Sequence, residues 1–183
     1  VLQTLRFEKP EVCPYYIWID RDMVGPLAEH FGPDQFVGPP EGARSFAGSY
    51  TIMREITAKP VSEEGDSYTD DYGVQYRRGS ILHVERPALS APSLKGYRFP
   101  DLTTDRHFEG LDEWLREHEE RFKIVQLGMM FFERAWGMRG MDHFFMDMHE
   151  HPGFVAEMME GLEAVCLQVI DRLRRFHVLN GHE

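Results

Sequence analysis

The stretch from Lys123 to Pro152, KIVQLGMMFFERAWGMRGMDHFFMDMHEHP, constrains the fold more than any other part of the chain. Ile124, Val125 and Leu127 form a short apolar run of the kind that makes a buried strand. Gly128 stands where that strand should end, and Met129-Met130-Phe131-Phe132 leads into the ionisable pair Glu133-Arg134. The helix expected behind it carries too much Met and Phe for an ordinary surface helix. Parallel α/β folds place their chemistry at strand C-termini, where this pair would lie. An ion pair that merely opens a helix accounts for the same residues.

The rest of the chain alternates in a similar way. Val12 to Ile19 is almost wholly apolar and rich in β-formers, as in a strand buried on both faces. Met23, Val24, Leu27, Ala28 and Phe31 recur at helical spacing, which predicts a helix over Arg21 to Phe31, with Asp20 as its cap and Gly32-Pro33 as its stop. Asp34 to Gly48 reads as loop. Tyr50 to Ile56 and Tyr68 to Arg77 read as strands, and Arg78-Gly79-Ser80 with Ile81 to Glu85 completes a hairpin. A Pro-rich loop over Pro87 to Asp101 precedes an amphipathic helix predicted from Phe108 to Phe122. The strand then runs Lys123 to Phe131, and Glu133 to Met148 is helical with a break near Gly137 or Gly140. Pro152 opens the last helix, whose stripe of Val155, Met158, Leu162, Val165, Val169, Leu173 and Phe176 is expected to pack on a sheet.

With 183 residues and 42% hydrophobic content, the chain can build one domain with a sizeable core. A net charge of −11 argues against nucleic acid and anionic membranes, which select for clustered Lys and Arg. No apolar run approaches the roughly 18 residues a membrane helix needs. Cys13 and Cys166 lie too far apart to suggest a disulfide framework or a zinc pair, so a reducing, cytoplasmic compartment is the expectation. His149-Glu150-His151 does not present two ligands on one helix face and is not expected to hold a metal.

Four segments, in order, resemble the uroporphyrinogen decarboxylase family. The first runs from Arg6-Phe7-Glu8-Lys9-Pro10 through Val12-Cys13-Pro14-Tyr15-Tyr16-Ile17-Trp18-Ile19-Asp20 to Leu27-Ala28-Glu29-His30-Phe31-Gly32. The second is Thr69-Asp70-Asp71-Tyr72-Gly73-Val74-Gln75-Tyr76-Arg77, and the third is Leu94 to Asp101 with its Tyr-x-x-Pro turn. The fourth is Phe132-Glu133-Arg134-Ala135-Trp136-Gly137-Met138-Arg139-Gly140. The resemblance implies an incomplete TIM-type (β/α)8 barrel, residues 1–183 being its N-terminal half, because the whole fold takes roughly 250 residues or more. An open barrel edge leaves a homodimer open as a partner state, and a half-barrel alone is expected to be inactive.

By resemblance the activity is decarboxylation of a tetrapyrrole in porphyrin metabolism, with a small-molecule substrate and no cofactor. The chain departs from the family after Pro14, where Arg residues that bind the substrate's acid groups give way to Ile17-Trp18-Ile19-Asp20-Arg21-Asp22. Acids there repel a polycarboxylate. The departure favours a divergent relative, with a zinc- and corrinoid-dependent methyltransferase and a corrinoid protein partner as the alternative. That branch takes its zinc ligands from the C-terminal half, so no metal ligand is expected in these residues. A non-catalytic binding or scaffold domain is the third reading, with the Met- and aromatic-rich segment as its contact surface.

The resulting candidate site comprises Asp70 and Glu133 as catalytic residues, with Trp18, Asp20, Met129, Phe131 and Arg134 binding substrate. Asp20 reads equally as a helix cap, and Asp70 as a hairpin residue. Glu133 would move a proton, and Arg134 would grip a carboxylate with its guanidinium fork.

Overall fold

The computed structural model describes residues 2–10, 21–32, 36–37, 45–46, 51–78 and 83–175. The chain divides into two compact units, one of residues 1–54 and 113–124, the other of residues 55–112 and 125–183.

The first unit contains α1 (Leu2–Leu5), α2 (Arg21–Phe31) and the short antiparallel pair β1 (Phe36–Val37) and β2 (Ser45–Phe46). α2 has the predicted bounds and stops at Gly32, whose φ of 78° a side chain would disfavour. Pro26 lies inside this helix, where it removes one backbone donor. The predicted cap, Asp20, and the apolar run Val12 to Ile19 lie outside the described residues.

The second unit is built on an antiparallel meander, β4 (Pro60–Glu64), β5 (Ser67–Asp70), β6 (Gln75–Arg77) and β7 (His83–Arg86), paired in that order. The single strand predicted over Tyr68 to Arg77 is therefore two strands and a tight turn. Asp70 makes the turn. Its Oδ1 accepts the amides of Tyr72 and Val74, each at 3.0 Å, and its carbonyl accepts the Gly73 amide at 2.8 Å. Gly73 supplies the positive φ, 79°, that the turn needs.

A further strand, β3 (Thr51–Ile56), pairs with β8 (Phe122–Leu127). The Gly128 amide donates to the Ile56 carbonyl at 3.2 Å, and Thr57 Oγ1 donates to the Gly128 carbonyl at 3.3 Å. The predicted helix over Phe108 to Phe122 is divided into α3 (Asp105–Phe108) and α4 (Leu111–Glu117). Gly110, with φ 69°, separates them, and Phe122 belongs to β8 instead. Among the described residues the β1–β2 pair and the four meander strands pair antiparallel, and β3 with β8 forms a separate two-stranded sheet whose two C-terminal ends lie together at Ile56 and Gly128.

The C-terminal helices are α5 (Phe131–Arg139), α6 (Met141–Glu150) and α7 (Pro152–Arg175). Of the two glycines predicted as break points, Gly140 is the break, with φ 85°. Gly137 continues the helix and lets the Tyr76 hydroxyl approach, since a Cβ there would come within 3.1 Å of it. Phe154, Met158, Leu162, Val165, Val169 and Leu173 form the buried stripe of α7. Its helical neighbours are α5 and α6, whereas the sequence reading set this stripe against a sheet. Burying such side chains contributes roughly 1.5–3 kcal/mol each. A buried ion pair, Arg139 Nε to Asp147 Oδ2 at 2.7 Å, ties α5 to α6. The Leu89 amide joins the preceding loop to the Met138 carbonyl at 2.8 Å.

Candidate functional site

Arg134 and Asp70, sixty-four residues apart, meet in the interior of the second unit. Arg134 is only 2% exposed. A guanidinium so deep must find partners for its charge and its donors. Nη1 donates to Asp70 Oδ2 and, at 3.3 Å, to the Tyr76 hydroxyl. Nε donates to the Met129 carbonyl at 3.2 Å. The face of the group lies 4.2 Å from the centre of the Tyr72 ring, a cation–π contact. Burial pushes the Asp70 carboxyl above its ordinary range, opposed by Arg134 and by the Val74 and Tyr72 amides. The Tyr72 and Tyr76 phenols are both pushed up to about 12, chiefly by desolvation.

Sequence neighbours on a helix do not face each other. Arg134 accordingly turns inward to Asp70, while Glu133 is exposed in the first turn of α5. A carboxylate at that position also complements the helix dipole. The guanidinium fork that the sequence assigned to substrate is engaged with the protein's own groups.

The strand end carries a different set of groups. Glu55, exposed near the end of β3, lays its carboxylate against Gly128; a Cβ on that glycine would occupy the space of the carboxylate. Met129 is half-buried and Phe131 is 41% exposed. Both hold left-handed backbone, at φ 46° and 51°. Positive φ in large non-glycine residues stores strain, which persists only where surrounding contacts impose it. The structure thus brings together Asp70, Arg134 and Met129 in one network, and Glu55 with Gly128 beside it. Glu133 and Phe131 follow at the start of α5. Trp18 and Asp20 lie outside the described residues.

Glu55 and the tyrosines escaped the sequence reading. The signal for Glu55 was Gly128 directly after an apolar run, a place where a second backbone or side chain comes close. Asp71, next to Asp70, points to other partners: it accepts from His107 Nε2 at 2.9 Å and pairs with Arg106 at 3.3 Å. Asp70 ends β5 and Asp71 opens the turn, so the two carboxylates reach different partners.

Among the described residues no three His, Cys, Asp or Glu side chains gather as a metal site would need. A groove of about 470 Å³ lies along Asp101, Thr103, Gln168, Asp171, Arg172 and Arg175 and shares no residue with the strand end. No helix among the described residues is long and apolar enough to cross a membrane.

Compared with protein-family models, with curated proteins and with solved structures, the chain matches none.

Proposed function

We propose that the chain is the N-terminal part of a uroporphyrinogen decarboxylase-like enzyme of the (β/α)8 type, acting on a substrate that is not a polycarboxylate. In this reading β3 and β8 are neighbouring barrel strands, the meander is an elaboration between them, and Gly128 marks the catalytic mouth. The observation that carries it is the Glu55 carboxylate lying on Gly128 at the end of β8. Exposed Glu55 and Glu133, with Met129 and Phe131, supply carboxylates and apolar surface, while the nearby cation, Arg134, is occupied by Asp70. Such a mouth suits an apolar ligand with a neutral or cationic anchor. Glu55 and Glu133 are the groups placed to exchange a proton with it.

The exposed carboxylates of Glu55 and Glu133, with Arg134 held by Asp70, favour the methyltransferase branch over decarboxylation of a polycarboxylate tetrapyrrole. There zinc would activate a thiol acceptor as its thiolate, and a corrinoid protein would bring the methyl group. The described residues offer no zinc cluster, so no step is assigned to the metal here. The test uses the full-length protein. Zinc content is measured, and turnover is assayed anaerobically with uroporphyrinogen and, separately, with a methylated corrinoid and a thiol. Methyl transfer that fails in Glu55→Gln supports the reading. Full decarboxylation of uroporphyrinogen by Glu55→Gln removes it.

A further inference from the structure

We infer that Arg134, anchored by Asp70, is a positioning residue that holds the strained Met129–Phe131 segment in the shape the strand end requires. The inference rests on the proposed site only for its consequence; the latch itself stands on geometry. Three observations converge. Met129 and Phe131 both carry positive φ, 46° and 51°, without being glycine. The Met129 carbonyl is bound by Arg134 Nε at 3.2 Å, a side-chain bond that reaches back over the start of α5. Arg134 is in turn fixed on its other sides by Asp70, by the Tyr76 hydroxyl at 3.3 Å and by the Tyr72 ring at 4.2 Å. None of these groups is free to turn, because Asp70 is itself bound by the amides of its own turn.

The order of dependence runs from the meander to the site. The β5–β6 turn fixes Asp70, Asp70 fixes the guanidinium, and the guanidinium fixes the Met129 carbonyl. The peptide from Gly128 to Phe131 then has one conformation. It sets the spot where Gly128 accepts the Glu55 carboxylate and the direction in which α5 presents Phe131 and Glu133. Lysine at position 134 keeps a charge near Asp70 but has no planar fork to serve Asp70, Tyr76 and Met129 together.

Hydrogen exchange followed by mass spectrometry on the full chain tests the latch, with Arg134→Lys compared to the parent. Exchange in the 128–133 segment, read at the Gly128 amide that donates to the Ile56 carbonyl, should speed about ten- to a hundredfold, the factor that follows from releasing one or two strained residues. Exchange in the α7 core should be unchanged. Met129→Gly in the Arg134→Lys background should restore much of the lost protection, because glycine takes positive φ without strain. A uniform rise across the chain, or no change at 128–133, would overturn the inference. Should Arg134→Lys fail to fold, Tyr76→Phe, which removes one anchor and keeps the ring, is read the same way. The readout needs no substrate, so a chain that proves inactive toward tetrapyrroles and methyl donors still decides the latch. A chain that is active while 128–133 exchanges alike in the parent and in Arg134→Lys refutes the latch alone.

Discussion

Asp70→Asn separates a structural from a catalytic role for the buried carboxylate that faces Arg134. The substitution changes almost no volume. Asn can keep the two turn bonds to the Tyr72 and Val74 amides through its carbonyl oxygen. Its amide nitrogen then faces Arg134 Nη1, a donor against a donor. Arg134, 2% exposed, is left as a buried charge held by the neutral Tyr76 hydroxyl, the Met129 carbonyl and the Tyr72 ring. Breaking one side of a buried pair costs roughly 3–5 kcal/mol. Against a total of roughly 5–15 kcal/mol for an ordinary domain, that is a large share. At about 2–4 °C per kcal/mol for a chain of this size, the melting midpoint should fall by about 6–20 °C. Thermal unfolding followed by circular dichroism measures the midpoint, and urea unfolding the free energy. Asp70→Asn with Arg134→Met removes both charges and should cost clearly less than the two single changes added together, by at least about 1 kcal/mol. A loss below about 1 kcal/mol in Asp70→Asn would refute the argument. It would mean that water reaches the pair and that Asp70 is free to act on a ligand.

Three other outcomes follow from the geometry. Gly128→Ala should displace the Glu55 carboxylate at a cost of roughly 1 kcal/mol or less, since a flexible side-chain end can swing aside; in the full-length protein it should depress turnover as Glu55→Gln does, and unchanged turnover would remove Glu55 from the site. Gly161→Ala should destabilise by roughly 1–3 kcal/mol, because its methyl group would overlap the Phe99 ring; a neutral melt would show that the ring is free to move. Tyr72 and Tyr76, raised to about 12, contribute stability that is present in full below the ordinary tyrosine pKa of about 10 and lost as pH rises through about 12, so phenolate absorbance at these positions should appear only together with loss of circular dichroism. Titration of all seven tyrosines near pH 10 with the fold intact would contradict that burial.

Local chemistry was legible where one signal acted alone. α2 ends at Gly32 because glycine and proline follow the last apolar position. The α7 stripe came out from Met158 to Leu173, with Phe154 buried in place of the half-buried Val155, while Phe176 lies outside the described residues. Where two signals competed, the pattern misled. Tyr68 to Arg77 has the composition of one strand, yet the Asp70 carboxylate and Gly73 close a turn within it. Phe108 to Phe122 has helical spacing, yet Gly110 breaks the helix and Phe122 joins β8. Arg134 was marked as important by its neighbours but given the wrong partner. Adjacent residues suggest a pair on paper, whereas a helix sends them to different sides. Its true partner lies in a turn sixty-four residues earlier, a separation that no local window spans.

That long-range pair also reframes what the charged residues near the strand end can do. A buried guanidinium is costly to desolvate, so it must be satisfied before it can serve a ligand. Here Asp70, Tyr76 and Met129 satisfy it from three directions, and the Tyr72 ring covers its face. The cation that the sequence reading assigned to substrate is bound by the protein's own groups, while Glu55 and Glu133 remain exposed. Under the proposed function, a polycarboxylate approaching Glu55 and Glu133 would meet like charge, at a cost in affinity. A neutral or cationic anchor would meet carboxylates already in place. The physical division is plain: the buried charge of Arg134 is held by Asp70, Tyr76 and Met129, and the exposed charges of Glu55 and Glu133 are the ones the proposed function would use.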